Sequence, residues 1–264
     1  MAPSILAALA GLQGLAESLP ISASGHGVLA RLWVGVEPGD TPLDAVLQLG
    51  TLVALALVVR NRLRAAASET VRAIARPQLF RTSPAAQDGA ALAAGALASL
   101  TTSMATARFV TGWGEAPFAV GLGLLLTAVA LASTAAAPRG RLETPSLAAA
   151  LVVGVAHGLA LMPGASRVGA ALTLLLWLGV RPSRAVDFAF AITLPGLALT
   201  AASGITRLHG ATAYICQAPI AGAWYKGSSP VNTQFGCIGF ADARYNMSWA
   251  NRGRQPIRSK ACYQ

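Results

Sequence analysis

The sequence predicts an all-α polytopic membrane protein made of inverted-topology repeats. Each repeat is a re-entrant helical hairpin plus spanning helices, and the second repeat reads as incomplete. Three observations carry this prediction. Charged residues are 11% of the chain and hydrophobic residues 54%, against about 25% charged in soluble proteins, so most of the chain cannot present an aqueous surface. Predominantly apolar stretches recur along the chain, several near the roughly 20 residues that a spanning helix needs. Finally, a polar cluster in the first apolar stretch has a counterpart at an offset of about 144 residues, which marks two related halves.

The first segment, residues 4–36, carries QGLAESLPISASGH at 13–26 inside Ala- and Leu-rich sequence. A carboxylate, hydroxyls and an imidazole are costly where lipid or packed helix surrounds them, so a functional site is the default expectation. Pro20 ends the first helix of this segment, because proline removes a donor and restricts the residue before it. No Lys or Arg precedes Arg31, so the start lacks the positive n-region of a cleaved signal peptide and is expected to stay in the mature protein. Next comes the apolar run 43–59, with Glu37, Asp40 and Asp44 at its start and Arg60, Arg62, Arg64, Arg72, Arg76 and Arg81 after it, accompanied by a single Glu69. These arginines read as one loop, which the Lys/Arg bias places in the cytoplasm. Spans at 88–108 and 117–136 then return the chain to the same side, where Arg139 and Arg141 follow.

The second half opens with two short apolar stretches, 147–162 and 168–180, and continues with 186–205. VAHGLALMP at 155–163 resembles GLQGLAESLP at 11–20, and each runs into small and hydroxyl residues, GASRVG and ISASG. By the Arg distribution, residues 4–36 leave from and return to the outside, whereas 147–180 leave from and return to the cytoplasm, since Arg181 and Arg184 follow. That inversion is the architecture in which broken or re-entrant helices meet near the midplane and bind polar ligands. The predicted organisation is a membrane domain over 1–210, with repeats at about 4–136 and 147–210, and an atypical tail over 211–264. All three Cys, all four Tyr and both Lys lie between Tyr214 and Gln264. A junction of two sequence populations, by frameshift, fusion or truncation, accounts for this break. The tail has no apolar run near the required length, and Cys216, Cys237 and Cys262 are too few and too widely spaced for a zinc site or a closed disulfide framework. It is assigned no chemistry.

The net charge of +10 does not indicate nucleic acid, because the cations follow membrane topology and the Arg-rich stretch has only Phe80 among them, without interleaved aromatics. The two polar turns point elsewhere. Helices that start beside Ser22, Ser24 and Gly25, or beside Gly164, Ser166 and Arg167, offer unpaired N–H groups and a positive dipole end, which favour phosphate. Arg167 adds a planar fork suited to phosphate oxygens. Taken singly, Ser166 is equally well a plain N-cap and Arg167 a snorkelling membrane anchor. Gln13 and Glu17 are four apart, hence on one helical face, and such oxygen ligands suit a hard cation, Mg²⁺ or Ca²⁺, held together with a substrate's phosphates. His26 is a candidate general base or nucleophile, and Ser22 or Ser24 a nucleophile or phosphate contact. His157, at the counterpart of Gln13, is a second-line candidate, with a satisfied core histidine as the equal alternative.

These residues resemble a known family. QGLAESLPISASGH, AVLQLGTLVA at 45–54, MPGASRVGA and FAFAITLPG at 188–196 are similar to the motifs of the undecaprenyl-pyrophosphate phosphatases, also called bacitracin resistance proteins, over about residues 4–205. The resemblance implies a bacterial inner-membrane enzyme that removes one phosphate from the C55 polyprenyl pyrophosphate carrier and depends on a divalent cation. It places the family's acidic motif on Gln13 and Glu17, its histidine on His26, and its Pro-Gly-x-Ser-Arg motif on Pro163, Gly164, Ser166 and Arg167. Gln48, in the second motif, is a further second-line candidate. Ala23 stands where the family usually has a second serine, Val168 where it has Ser and Ala171 where it has Thr, so a serine nucleophile would have to be Ser22 or Ser24. The expected partners are the polyprenyl pyrophosphate and membrane lipids, with no nucleic acid and with homodimer formation left open. The alternative class is a carrier for a polyprenyl phosphate or another anion, or an inactive truncated homologue; Glu17 beside His26 favours hydrolysis.

Overall fold

A computed structural model describes residues 3–35, 42–110 and 116–222. Among these residues the backbone forms helices and no strand: α1 (Pro3–Ser18), α2 (Ala23–Val34), α3 (Pro42–Ala75), α4 (Leu79–Thr82), α5 (Pro84–Val110), α6 (Pro117–Ser133), α7 (Leu147–Leu159), α8 (Arg167–Trp177) and α9 (Pro182–Gly222). Prolines open α1, α3, α5, α6 and α9, where a fixed φ and a missing N–H suit the first helical turn. The helices that start at polar turns use serine instead, with Ser22, Ser146 and Ser166 capping α2, α7 and α8. Four stretches are long and apolar enough to cross a membrane: Val46–Ala75, Pro84–Val110, Pro117–Ala136 and Pro182–Gly204. The chain is a multi-pass, all-α membrane protein.

α7 and α8 are shorter, at 13 and 11 residues, about 20 and 17 Å at 1.5 Å per residue against a hydrocarbon layer of about 30 Å. The N–H groups of Arg141 and Leu142 donate to the Gly179 carbonyl at 2.9 and 3.0 Å, and that of Arg181 donates to the Leu142 carbonyl at 2.9 Å. The segment before α7 is thereby tied to the segment after α8. α7 and α8 therefore form a short helical hairpin whose two ends lie together. α1 and α2 pack together as the first hairpin.

The Arg-rich stretch departs from its expected form as a loop, because α3 runs on to Ala75 and carries Arg60, Arg62, Arg64 and Arg72. Arg, Ala and Glu are good helix formers, so the fall in hydropathy after residue 59 does not interrupt the backbone helix. Arg62 is also not a surface cation. Its side chain is 5% exposed, its Nε and Nη2 donate to the Asp88 carboxylate at 2.7 and 2.6 Å, and its Nη1 donates to the Arg184 carbonyl at 2.8 Å. The Thr144 hydroxyl donates to Asp88 at 3.2 Å, and Phe188 lies under the guanidinium at 5.5 Å. This clamp joins α3, α5, the α6–α7 linker and α9 at the end where Arg181 and Arg184 both pair with Glu143.

Helix α5 packs most closely on α7. A Cβ added at Gly154 would stand 2.2 Å from the Gly95 carbonyl, and one at Gly158 2.7 Å from the Ser99 carbonyl. Small residues four apart on both helices let the backbones touch, the usual device where lipid removes the hydrophobic drive between helices.

The chain divides into two compact units, Met1–Ile205 and Thr206–Gln264, and the site described next belongs to the first. α9 is helical to Gly222, so the part of the atypical tail from Tyr214 to Gly222 is helix; a helix needs no apolar run to form. Glu37, Asp40, Cys237, Cys262 and the remainder of the tail lie outside the described residues.

Candidate active site

The first polar turn follows α1, which stops at Ser18 because Pro20 cannot extend it. Gln13 Nε2 donates to Glu17 Oε2 at 3.5 Å, as their spacing of one helical turn predicts. Ser22 has φ +74°, a region that side chains other than glycine's enter at a cost of about 1–3 kcal/mol and that clusters at functional sites. From there its Oγ accepts the Gly25 N–H at 3.2 Å and lies 3.3 Å from the Ser24 Oγ. The His26 Nδ1 lies 2.9 Å from the Ser22 carbonyl. A carbonyl only accepts, so Nδ1 carries the proton and the Nε2 lone pair is left free.

The second turn repeats this capping. Ser166 Oγ accepts the Gly169 N–H at 3.0 Å, just as Ser22 does for Gly25. In both helices the first two N–H groups, those of Ala23 and Ser24 and those of Arg167 and Val168, have no partner among the described residues. The serines are therefore N-caps, and the donors for an anion are the N–H groups beyond them. Gly164 has φ +78°, and a Cβ there would meet the Val120 carbonyl at 2.1 Å. Only glycine fits on both counts.

The two turns meet. A Cβ on Gly25 would stand 2.8 Å from the Gly164 Cα, and one on Gly169 2.9 Å from the Pro20 carbonyl. Across this junction Arg167 Nη2 lies 3.9 Å from Glu17 Oε1, with side chains 24% and 10% exposed, so the guanidinium faces the carboxylate and is not an outward membrane anchor. Gly196, in the Leu-Pro-Gly stretch of α9, flanks it, since a Cβ there would be 3.6 Å from Arg167 Nη1. The structure thus brings Gln13, Glu17, Ser22, Ser24, Gly25, Gly164, Ser166 and Arg167 to one place, with His26 on the first turn of α2.

Two second-line candidates make no hydrogen bond to this group among the described residues, although His157 is still within electrostatic reach of Arg167. His157 is 1% exposed; its Nδ1 is 2.6 Å from the Ser99 hydroxyl and its Nε2 2.9 Å from that of Thr193. Thr193 donates its proton to the Ala189 carbonyl at 2.8 Å, so Nε2 is the protonated nitrogen and Nδ1 accepts from Ser99. Both nitrogens are occupied, the arrangement of a satisfied core histidine. Gln48 is half-buried on α3, with no hydrogen bond to Gln13 or Glu17 among the described residues.

The residues that sequence reading missed belong to α6. Thr127 Oγ1 accepts the Ser166 N–H at 2.9 Å, and a Cβ at Gly123 would lie 2.0 Å from the Pro163 carbonyl. Their only sequence signal is small and hydroxyl residues four apart in an otherwise Leu- and Val-rich helix.

No group of three or more His, Cys, Asp or Glu side chains able to hold a metal occurs among the described residues. A closed protein cage is therefore not what this site offers. One carboxylate with a neighbouring amide oxygen does fit Mg²⁺ or Ca²⁺ shared with substrate phosphates.

Fold and site define a polytopic membrane protein with two phosphate-suited helix starts joined between its helices. A family model for the bacitracin resistance protein BacA matches residues 6–229, and the chain belongs to that family. Curated relatives named undecaprenyl-diphosphatase include one from Geobacter metallireducens, 33% identical over 80% of this chain and 79% of the relative. One from Geobacter sulfurreducens is 34% identical over 76% and 74%, and one from a Synechococcus strain is 31% identical over 76% and 71%.

Proposed function

We propose that this chain hydrolyses undecaprenyl pyrophosphate to undecaprenyl phosphate and inorganic phosphate, returning the lipid carrier to cell-wall synthesis in the bacterial inner membrane. The observation that carries this reading is the junction of two serine-capped helix starts at an opposed Glu17–Arg167 pair. A pyrophosphate has two anionic groups, and the junction offers two sets of free N–H donors with one guanidinium between helices. An inverted arrangement of the hairpins, with the Arg-bearing end in the cytoplasm, is part of the same proposal.

In this mechanism the N–H groups of Arg167 and Val168 and the Arg167 fork bind one phosphate, and those of Ala23 and Ser24 bind the other. Phosphoryl transfer asks chiefly for positioning and charge neutralisation. Glu17 and Gln13 would hold a divalent cation, which supplies charge neutralisation at the phosphate oxygens. His26 holds its Nδ1 proton on the Ser22 carbonyl and uses Nε2 either to take the proton of the attacking water or to attack phosphorus itself. By either route the bridging P–O bond breaks and its electron pair leaves with the lipid phosphate; where Nε2 has attacked, water then breaks the N–P bond and restores the imidazole, so that oxygen from water ends on the terminal phosphorus. Ser22 Oγ already caps Gly25, which leaves Ser24 as the freer hydroxyl.

The test is phosphate release from C55 pyrophosphate by purified protein in detergent, with and without Mg²⁺ or Ca²⁺. Divalent-dependent release is expected. Monodisperse protein that releases no phosphate with either cation, but moves polyprenyl phosphate across proteoliposomes, would replace this reading with the carrier.

A further inference from the structure

Resting on that reading of the site, we propose that Thr127 of α6 is a positioning residue: its hydroxyl holds the turn that presents Arg167 and the free N–H groups of α8 to a phosphate. Thr127 is 8% exposed, and its hydroxyl works in two directions. It accepts the Ser166 N–H at 2.9 Å, and it donates to the Gly123 carbonyl at 2.9 Å, with the Gly164 carbonyl at 3.3 Å as a second acceptor.

A threonine inside an apolar helix ordinarily back-bonds to the carbonyl four residues earlier and does nothing else. The contact to Gly123 is that ordinary bond. Accepting a backbone N–H from another segment, 39 residues away, goes beyond it. The contact also falls at the one N–H of the second turn that Ser166 Oγ and the helix leave unsatisfied on the N-cap residue itself. With the Ser166 N–H occupied, those of Arg167 and Val168 are the helix-start donors left without a partner among the described residues, and Thr127 fixes the turn that presents them.

The surface around it is shaped to the same end. Val120, Gly123 and Thr127 stand on one face of α6, three and four residues apart. The Val120 carbonyl lies where a Gly164 side chain would be, and the Pro163 carbonyl lies where a Gly123 side chain would be, at 2.1 and 2.0 Å. α6 and the turn are therefore pressed backbone to backbone, and Thr127 supplies the directional bond at that contact. Its β-branched side chain restricts χ1, so the hydroxyl is held ready.

The test uses the full chain in detergent and compares Thr127→Val, which keeps the shape, with Thr127→Ser, which keeps the hydroxyl. In the folded, monodisperse fraction Thr127→Val should raise KM for C55 pyrophosphate about tenfold, the scale set by leaving one buried donor unpaired. Thr127→Ser should restore KM to near the wild-type value. A purely structural threonine would lower the yield and melting temperature and leave KM of the folded fraction unchanged, and that result overturns the proposal. Amide hydrogen exchange over residues 160–170 gives an arm that needs no turnover: exchange should speed up in the Val variant, return in the Ser variant, and stay unchanged over residues 19–30. If wild-type protein releases no phosphate, the functional reading falls while the exchange result still decides on Thr127. If Thr127→Val does not purify as folded protein, Thr127→Ala takes its place in both measurements. Failure of the Ser variant to recover either property also overturns the proposal.

Discussion

Glu17 and Arg167 face each other at 3.9 Å across the junction of the two turns, and each carries a charge that no nearby side chain of the same sign can replace. Glu17→Gln keeps the shape and the contact to Gln13 but removes the carboxylate, so divalent-stimulated phosphate release should disappear while the protein still elutes as folded material from size exclusion. Retained turnover in that variant would remove Glu17 from the metal assignment. Arg167→Lys should be nearly as damaging, because an ammonium cannot reproduce the planar fork; losing one member of a desolvated charged contact lowers kcat/KM by about 2–5 kcal/mol of transition-state binding. Steady-state kinetics on C55 pyrophosphate checks this, and wild-type constants would remove Arg167 from phosphate binding. These two residues were legible in the sequence because a charge inside an apolar run has few innocent explanations. Thr127 was not, since a threonine in a membrane helix looks the same whether it bonds its own helix or another segment. Arg62 was misread for a related reason: its partner Asp88 is 26 residues away, and a local count of charges sees only neighbouring arginines.

At the scale of elements, the helical hairpins were readable because Pro20 and Pro163 stop their helices and the following serines restart them. What the sequence could not supply is the depth to which the tips approach. Gly25 and Gly164 settle that, with a would-be Cβ on Gly25 only 2.8 Å from the Gly164 Cα. Backbone carries the contact, so no flexible side chain can yield. Gly25→Ala should therefore separate the tips by a few tenths of an ångström or more and reduce phosphate release at least about tenfold, since misplacement of about 1 Å at a site that works by positioning costs about a hundredfold. Gly27→Ala on the same helix has no atom within 4 Å of the added carbon and should behave as wild type. Equal activities for the two variants would show that the tips do not need their close approach. The end of α3 illustrates the opposite limit of sequence reading, because the apolar run ends near residue 59 while the helix itself continues to Ala75.

Across the whole molecule, the Arg62–Asp88 clamp binds α3, α5, the α6–α7 linker and α9 at the Arg-bearing end. Asp88→Ala leaves the Arg62 guanidinium buried without its partner, which should destabilise the protein by about 3–5 kcal/mol and appear as a lowered thermal midpoint in detergent. Replacing Arg62 and Asp88 together by Leu should recover a good part of that loss, because an unpaired buried charge is worse than none. A double variant as unstable as Asp88→Ala would show that the pair itself, and not relief of a stranded charge, sets the stability. Composition had announced the membrane and the motifs the family, while the clamp is long-range pairing that no local pattern encodes.

Glu17 and Arg167 are also 150 residues apart in the chain, on hairpins made at different times. During synthesis the first hairpin enters the bilayer with its carboxylate at the tip and nothing to oppose it until α8 emerges. A carboxylate in that position is costly in lipid while ionised and takes up a proton instead, so the charged pair can form only once the second hairpin is in place. The Glu17–Arg167 contact therefore belongs to the finished fold alone: neither hairpin carries it by itself, and the site exists only when both are in place.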